Sequence, residues 1–316
     1  MKIIFFGSDD FAEAHLKSLI DSEHEVLACV TPPDRPKGRG MKVAVSSVKE
    51  RAEENRIPVW QPASLKEPSF IKDMKGLQGD LFVVIAYGKF LPTEVLDIPP
   101  HGAINVHASL LPKYRGAAPI NWAVINGEQE TGISVIKINE EMDAGDVLAQ
   151  MAMNIEKDDT APTLRARMMS EGPAFLLRTI DGLPDCAAQA QDHSDVTFAP
   201  KLTKELGRID WAKSSLEICR LVRGLMPWPG AYTFYNGKML KILEVQVGAY
   251  CNTPLLKEGP VEKRPGTILE TCKTGVIVST GNGLLLIKEV HLQDSKPMDA
   301  HSFVIGHDLK VGHKFT

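Results

Sequence analysis

The first half of the chain repeats one pattern: a short apolar run without polar alternation, followed by a polar-capped stretch with helical spacing. Ile3–Phe6, Val26–Val30 and Leu81–Ala86 are the runs, rich in aromatic and β-branched residues. A strand with one face in water alternates polar and apolar residues, whereas these runs fit strands covered on both faces. Asp10–Ser22 and Ser46–Asn55 lie between them and read as capped helices. Such alternation predicts a doubly wound, mainly parallel α/β sheet of the Rossmann-like kind. Ala103–Val106 and Ile133–Ile138 extend the strand series, and Thr160–Thr179 reads as a long helix. Gly7-Ser8-Asp9-Asp10 lacks the further glycines of a dinucleotide-binding loop, so it reads as a strand-to-helix turn capped by Asp or Ser.

The pattern loosens into polar turn residues from about Ala190 to Arg208, the expected linker. A capped helix over Ser214–Gly224 follows. Five short β-like runs come next, at Ala231–Tyr235, Leu240–Val247, Gly266–Glu270, Val276–Thr280 and Leu284–Val290. Strands this short, punctuated by Gly and Pro, predict a small closed β-barrel, OB-like first and SH3-like as the alternative spacing leaves open. The expected organisation is a domain over 1–189, a linker over 190–208 and a barrel domain over 209–316.

With 316 residues the chain is long enough for two such domains, and 43% hydrophobic against 24% charged residues is ordinary globular composition. A monomer is the default expectation, since domains of this size bury a core unaided. The net charge of −4 is unevenly spread: residues 207–316 carry +4 and the remainder −8, which fits a polyanion held by the C-terminal part. The five cysteines (Cys29, Cys186, Cys219, Cys251, Cys272) form no Cys-x-x-Cys and read as free thiols in a reducing compartment, with no metal site. No signal h-region and no apolar stretch of membrane-spanning length is present, so the expectation is a cytoplasmic protein with no membrane partner.

Three clusters can carry chemistry. Asn105 and His107 stand two apart at the end of an expected strand, so both side chains share one face. In a parallel sheet that end opens into the ligand cleft. An amide donor beside an imidazole suits acyl transfer, the first holding a developing oxyanion and the second moving a proton. Asp143, in the turn Glu141-Met142-Asp143-Ala144-Gly145-Asp146, can cap that turn or pair with His107, where a carboxylate favours the charged imidazolium. The third cluster, Asp34-Arg35-Pro36-Lys37-Gly38-Arg39-Gly40, sets three cations on a Pro/Gly frame expected to form neither helix nor strand. Such a loop is either simply solvated or exposed to read phosphates and base edges.

Asn105-Val106-His107 through Ser109-Leu110-Leu111-Pro112-Lys113-Tyr114-Arg115-Gly116, with Asn121-Trp122-Ala123, Asn126-Gly127-Glu128 and Thr131-Gly132, resembles the signature of the folate-dependent formyltransferases. The resemblance implies formyl transfer from 10-formyltetrahydrofolate to an amine, with Asn105, His107 and Asp143 as the catalytic trio. It implies a folate site formed by Ser109, Leu110, Leu111 and Pro112 with Tyr87, Phe90 and Leu91. The basic loop, the run Ala199-Pro200-Lys201 to Asp210-Trp211 and the run Arg223-Gly224-Leu225 to Gly230-Ala231 resemble the branch of the family that acts on initiator methionyl-tRNA. That implies tRNA contacts from Arg35, Lys37 and Arg39 and from the barrel domain. Two departures stand out. Glu141 occupies a position where the family usually has Gly, and would be strained if the backbone there has positive φ. Ala144 stands where Thr is common.

The implied mechanism is direct attack of the amine on the formyl carbon, with no covalent enzyme intermediate, since no Ser or Cys has a base-partnered pattern. Two rival readings are a formyltransferase for an amino-sugar nucleotide or a formyl-folate hydrolase, and a non-enzymatic RNA-binding protein on the same scaffold. The basic loop argues against the sugar enzymes, the lack of an appended dehydrogenase domain against fusion hydrolases, and the intact trio against the binding protein.

Overall fold

Apolar runs with no polar side to show must be buried on both faces, and they are: Ile3, Ile4, Phe5 and Phe6 are fully inaccessible, as are Leu81, Phe82, Val83 and Ile85. The structure, a computed structural model, describes residues 1–37, 42–183, 186–248 and 264–316. Two compact units divide it. Unit 1 comprises residues 1–119, 130–154 and 165–199, and unit 2 comprises 120–129, 155–164 and 200–316. Residues 190–199, expected as linker, therefore group with unit 1.

The elements through the end of unit 1 are, in chain order, β1 (Lys2–Gly7), α1 (Asp10–Ile20), β2 (Glu25–Val30), β3 (Arg35–Lys37), β4 (Lys42–Ala44), α2 (Ser47–Glu54), β5 (Val59–Trp60), α3 (Pro68–Gly76) and β6 (Leu81–Ile85). Then follow α4 (Thr93–Leu96), β7 (Ala103–His107), β8 (Arg115–Gly116), α5 (Pro119–Asn126), β9 (Glu130–Lys137), β10 (Val147–Asn154), α6 (Ala161–Asp181) and β11 (Phe198–Ala199).

The seven-stranded sheet runs β10-β9-β7-β6-β1-β2-β5. Strands β7-β6-β1-β2-β5 are parallel, and β9 and β10 add an antiparallel edge. The chain winds outward from β1 in both directions, which is the doubly wound arrangement the strand pattern predicts. Asp9 caps α1 by accepting from the Ala12 amide at 3.0 Å, and Ser46 caps α2 by accepting from Lys49 at 3.2 Å. These side chains satisfy amides a helix start otherwise leaves open. Phe6 packs between Phe82 (centroids 5.2 Å apart) and Tyr87 (5.6 Å, edge-on), and truncating a ring so placed costs about 3–5 kcal/mol.

Two expectations need correction. Arg35–Lys37 forms a short antiparallel ladder with Lys42–Ala44, although a Pro/Gly frame was expected to exclude strand. Pro36 is tolerated because a two-stranded ribbon has edges where a missing N–H leaves nothing unpaired. Second, Cys29, Cys186 and Cys219 are free but Cys272 is disulfide-bonded. Which cysteines come close enough to pair is a tertiary matter that spacing does not reveal.

Unit 2 continues with α7 (Ser215–Gly224), β12 (Ala231–Tyr235), β13 (Lys238–Val247), β14 (Ile268–Cys272), β15 (Gly275–Ser279), β16 (Leu284–Leu292), β17 (Met298–Asp299) and α8 (Ala300–His307). Ser214 and Glu217 form a reciprocal capping box at the start of α7. The antiparallel sheet runs β12-β13-β16-β15-β14, with β17 on β16. Register shifts around Glu244 bend β13, as bulges do. Residues 312–316 close the curl: Ile268 donates to His313 and Phe315 to Gly266 on the β14 side, while Thr316 and Phe234 of β12 exchange hydrogen bonds. The result is the small barrel expected, filled by Trp211, Leu240, Ile242, Ile287, Phe303 and Phe315. Asn121 on α5 belongs to this unit, its side chain donating to the Gly224 carbonyl at 2.7 Å.

Candidate active site

Strand β7 delivers Asn105 and His107 to one face at its C-terminal end, and the turn between β9 and β10 delivers Asp143. The Asp143 carboxylate is where they meet. Its Oδ1 accepts from Asn105 Nδ2 at 3.4 Å, and its Oδ2 lies 3.5 Å from His107 Nδ1 and accepts from the Gly116 amide at 2.9 Å. On the other side of the ring, His107 Nε2 is 2.9 Å from the Tyr114 carbonyl. A carbonyl only accepts, so Nε2 carries a proton; in the doubly protonated ring Nδ1–H also faces an acceptor. His107 is buried (6% exposed). The two contacts to Asn105 and His107 are long for hydrogen bonds and the Gly116 contact is not, so the carboxylate is anchored by backbone and only loosely engaged with its side-chain neighbours.

Two left-handed backbone conformations outside glycine frame this arrangement. Tyr114 has φ 62° and Asp143 has φ 52°. Such residues cost energy and persist where surroundings hold them, commonly at functional sites. Tyr114 aims its carbonyl at His107, and Asp143 its carboxylate at Gly116. The condition for strain at Glu141 is not met, because its φ is not among the positive ones; the turn places its left-handed residue two positions later. Glu141 is exposed, with its amide donating to Asn139 Oδ1 at 3.0 Å.

The residues expected to hold a folate divide by accessibility. Phe90 is 62% exposed, and Leu110 and Pro112 are partly exposed; Tyr87, Leu91, Ser109 and Leu111 are buried. The Ser109–Pro112 segment is fixed from behind. Ser134 Oγ donates to the Ser109 carbonyl (2.7 Å) and accepts from the Leu111 amide (3.0 Å), and Gln150 Nε2 donates to the Leu111 carbonyl (2.8 Å). The buried Tyr87 hydroxyl has no hydrogen-bond partner among the described residues, and burial pushes its pKa up to about 12. It thus stays a neutral hydroxyl.

Arg35 and Lys37 lie on β3, and Arg39 lies outside the described residues. At the base of this excursion Asp34 accepts from Lys49 Nζ at 2.6 Å and from Gln61 Nε2 at 2.8 Å. The Lys49 hydrogen bond, then that of Gln61, holds its carboxyl below the usual range. Among the described residues no group of three or more His, Cys, Asp or Glu side chains is placed to hold a metal.

Sequence reasoning missed the Tyr114 carbonyl, the Gly116 amide and Gln191, whose side chain reaches the Asp143 turn. The first two sit inside the quoted signature but act through backbone, which residue identity does not display. Gln191 lies in a stretch that reads as linker.

A parallel sheet whose β7 end and neighbouring β9–β10 turn bring an amide, an imidazole and a carboxylate together suits group transfer of the acyl-transfer kind. The family of formyl transferases matches residues 1–180, and the formyl transferase C-terminal domain matches residues 201–308. The chain belongs to the formyl transferase family. It is 44% identical to the methionyl-tRNA formyltransferase of Desulforamulus reducens, over 99% of this chain and 96% of that one. It is 45% identical to that of Acetivibrio thermocellus, over 99% and 98%. Among solved structures, the N-formyltransferase of Helicobacter canadensis in complex with folinic acid and dTDP-3-aminofucose aligns with TM-score 0.65 at 17% identity, covering 91% of this chain and 98% of that one. HypX of Aquifex aeolicus in complex with tetrahydrofolic acid aligns with TM-score 0.61 at 18% identity, over 96% of this chain. The chain spans about half of HypX, 47% of its length. At such identities these structures show a shared fold.

Proposed function

We propose that this enzyme transfers the formyl group of 10-formyltetrahydrofolate to the amino group of methionine on initiator tRNA, giving N-formylmethionyl-tRNA for translation initiation. The observation that carries the chemistry is the meeting of Asn105, His107 and Gly116 at the Asp143 carboxylate. The choice of acceptor rests on methionyl-tRNA formyltransferases at 42–45% identity over nearly the whole chain.

The bound folate supplies an activated formyl group. Phe90 and Leu110 offer apolar surface for a flat ring. As the amine adds to the formyl carbon, negative charge grows on the formyl oxygen. Asn105 Nδ2 and the protonated His107 ring are the donors for that charge. The Tyr114 carbonyl holds Nε2–H and fixes the ring, so Nδ1–H, only 3.5 Å from Asp143, is the proton free to be shared. Asp143 balances the imidazolium and orders water to carry the proton from the amine to the folate nitrogen, whose bond to the formyl carbon breaks as tetrahydrofolate leaves. The reaction needs no covalent enzyme intermediate and none of its steps draws on a metal.

The tRNA would be held by Arg35, Lys37 and Arg39 and by the barrel, whose stretch of the chain carries the positive charge. Binding through phosphates weakens steeply with salt. The enzyme would act as a monomer in the cytoplasm, where charged tRNA is used. No helix among the described residues is long and apolar enough to cross a membrane.

The test is formyl transfer from 10-formyltetrahydrofolate to initiator methionyl-tRNA, with elongator methionyl-tRNA and an amino-sugar nucleotide as parallel acceptors. Selective formylation of the initiator species is the expected result. Activity on the sugar alone would keep the trio and overturn the acceptor.

A further inference from the structure

Gln191 is buried, 7% exposed, and uses both ends of its amide. Its Oε1 accepts from Nε and Nη2 of Arg115 at 3.1 and 2.7 Å. Its Nε2 donates to the backbone carbonyls of Asp143 and Gly145 at 2.8 and 2.7 Å. One side chain thus joins the residue before Gly116 to the turn that carries Asp143. These partners admit only an amide: two carbonyls demand a donor, and a guanidinium fork demands an acceptor.

The surrounding segment is stitched to both sides of the site. Gln189 exchanges backbone hydrogen bonds with Val147 at 2.7 and 2.8 Å, just past the Asp143 turn. Thr197 accepts at its carbonyl from the Arg115 amide (2.9 Å) and at its hydroxyl from the Tyr114 amide (2.8 Å). Asp143 is where such bracing matters, since its left-handed backbone (φ 52°) persists only if held. Its two long side-chain contacts, at 3.4 and 3.5 Å, do not hold it.

We infer that Gln191, oriented by Arg115, is a positioning residue that sets where the Asp143 carboxylate stands against His107 and Asn105, an inference resting on the role proposed above for Asp143. Residues 189–199 are then part of the catalytic apparatus and not a passive connection.

The test is Gln191→Glu, which keeps the shape and the acceptor facing Arg115 but removes both donors to the turn. Single-turnover rates are compared for wild type, Gln191→Glu, Asp143→Asn and the double variant, with melting temperature and tRNA KM measured on each. The expected result is a kcat lower by roughly 10- to 10²-fold, the range a small displacement of a reacting group produces. KM for tRNA stays near wild type, while the melting temperature falls, because two buried carbonyls lose their donor and face a carboxylate instead. In the Asp143→Asn background, Gln191→Glu adds little, because both changes act through one carboxylate. Should Gln191→Glu not fold, Arg115→Lys loosens the other end and predicts a smaller kcat loss with the same non-additivity. If Asp143→Asn is fully active, the role of Asp143 falls and this inference with it. If Asp143→Asn is crippled but Gln191→Glu is near wild type, or the two losses multiply, the positioning role alone is overturned.

Discussion

The Gly116 amide donates to Asp143 Oδ2 at 2.9 Å, the shortest contact that carboxylate makes with its neighbours at the site. The donor is a backbone group, and its aim depends on the backbone conformation of Gly116. That residue has φ 121° and lies on β8, paired with Ala199 of β11.

Gly116→Ala tests this anchor. A Cβ there would meet the Ala199 carbonyl oxygen at 2.7 Å, and the φ is one that L side chains rarely adopt. The strain is about 1–3 kcal/mol. Relief by moving β8 from β11 turns the amide away from Asp143. The expected outcome is a lower midpoint in urea unfolding together with a kcat loss larger than the stability loss explains. A variant that is destabilised yet turns over normally would show that this amide does not position Asp143.

His107→Ala removes the proton carrier and leaves the basic loop and barrel untouched. Turnover should fall by about 10²–10⁴-fold, the usual worth of a positioned general acid or base. Equilibrium binding of tRNA, followed by filter retention, should stay near wild type. Near-normal turnover would remove His107 from the chemistry.

Acid should weaken unit 1 through His15. Its Nδ1 lies 2.8 Å from the Phe11 carbonyl, its Nε2 is buried with no partner among the described residues, and burial pushes its pKa down to about 4. In the unfolded chain it takes a proton near pH 6.5. The unfolded state therefore binds more protons between those values. Stability from the neutral ring is complete above about pH 6.5 and is lost as pH falls toward 4, by roughly 3 kcal/mol in all. Urea unfolding at pH 7 and pH 5 checks it: His15→Leu should narrow the gap between the two pH values, and an unchanged gap would refute the assignment.

Arg39→Ala addresses the acceptor end. Formylation of initiator methionyl-tRNA should fall through kcat/KM, with the salt dependence of binding becoming shallower by about one phosphate contact. A variant with an unchanged kcat/KM and salt slope would leave Arg39 without a role in recognition.

The parallel sheet was legible because Ile3–Phe6 and Leu81–Ile85 have no polar side to show water. Asn105 and His107 were legible as a pair because strand geometry alone puts alternate residues on one face. The barrel was legible from short punctuated strands, but its closure was not. Residues 312–316 complete it with a few backbone hydrogen bonds and no strand-like sequence of their own.

The local chain, then, determined the elements and the residue types available for chemistry, since periodicity and capping act between neighbours. The tertiary structure alone decided how the Asp143 carboxylate stands against His107 and Asn105, and that backbone groups of Tyr114 and Gly116 and the side chain of Gln191 hold the arrangement. The Gly116 and Gln191 contacts to the Asp143 turn join residues 27 and 48 apart and run through backbone carbonyls and amides, which nearly every residue carries and no sequence distinguishes.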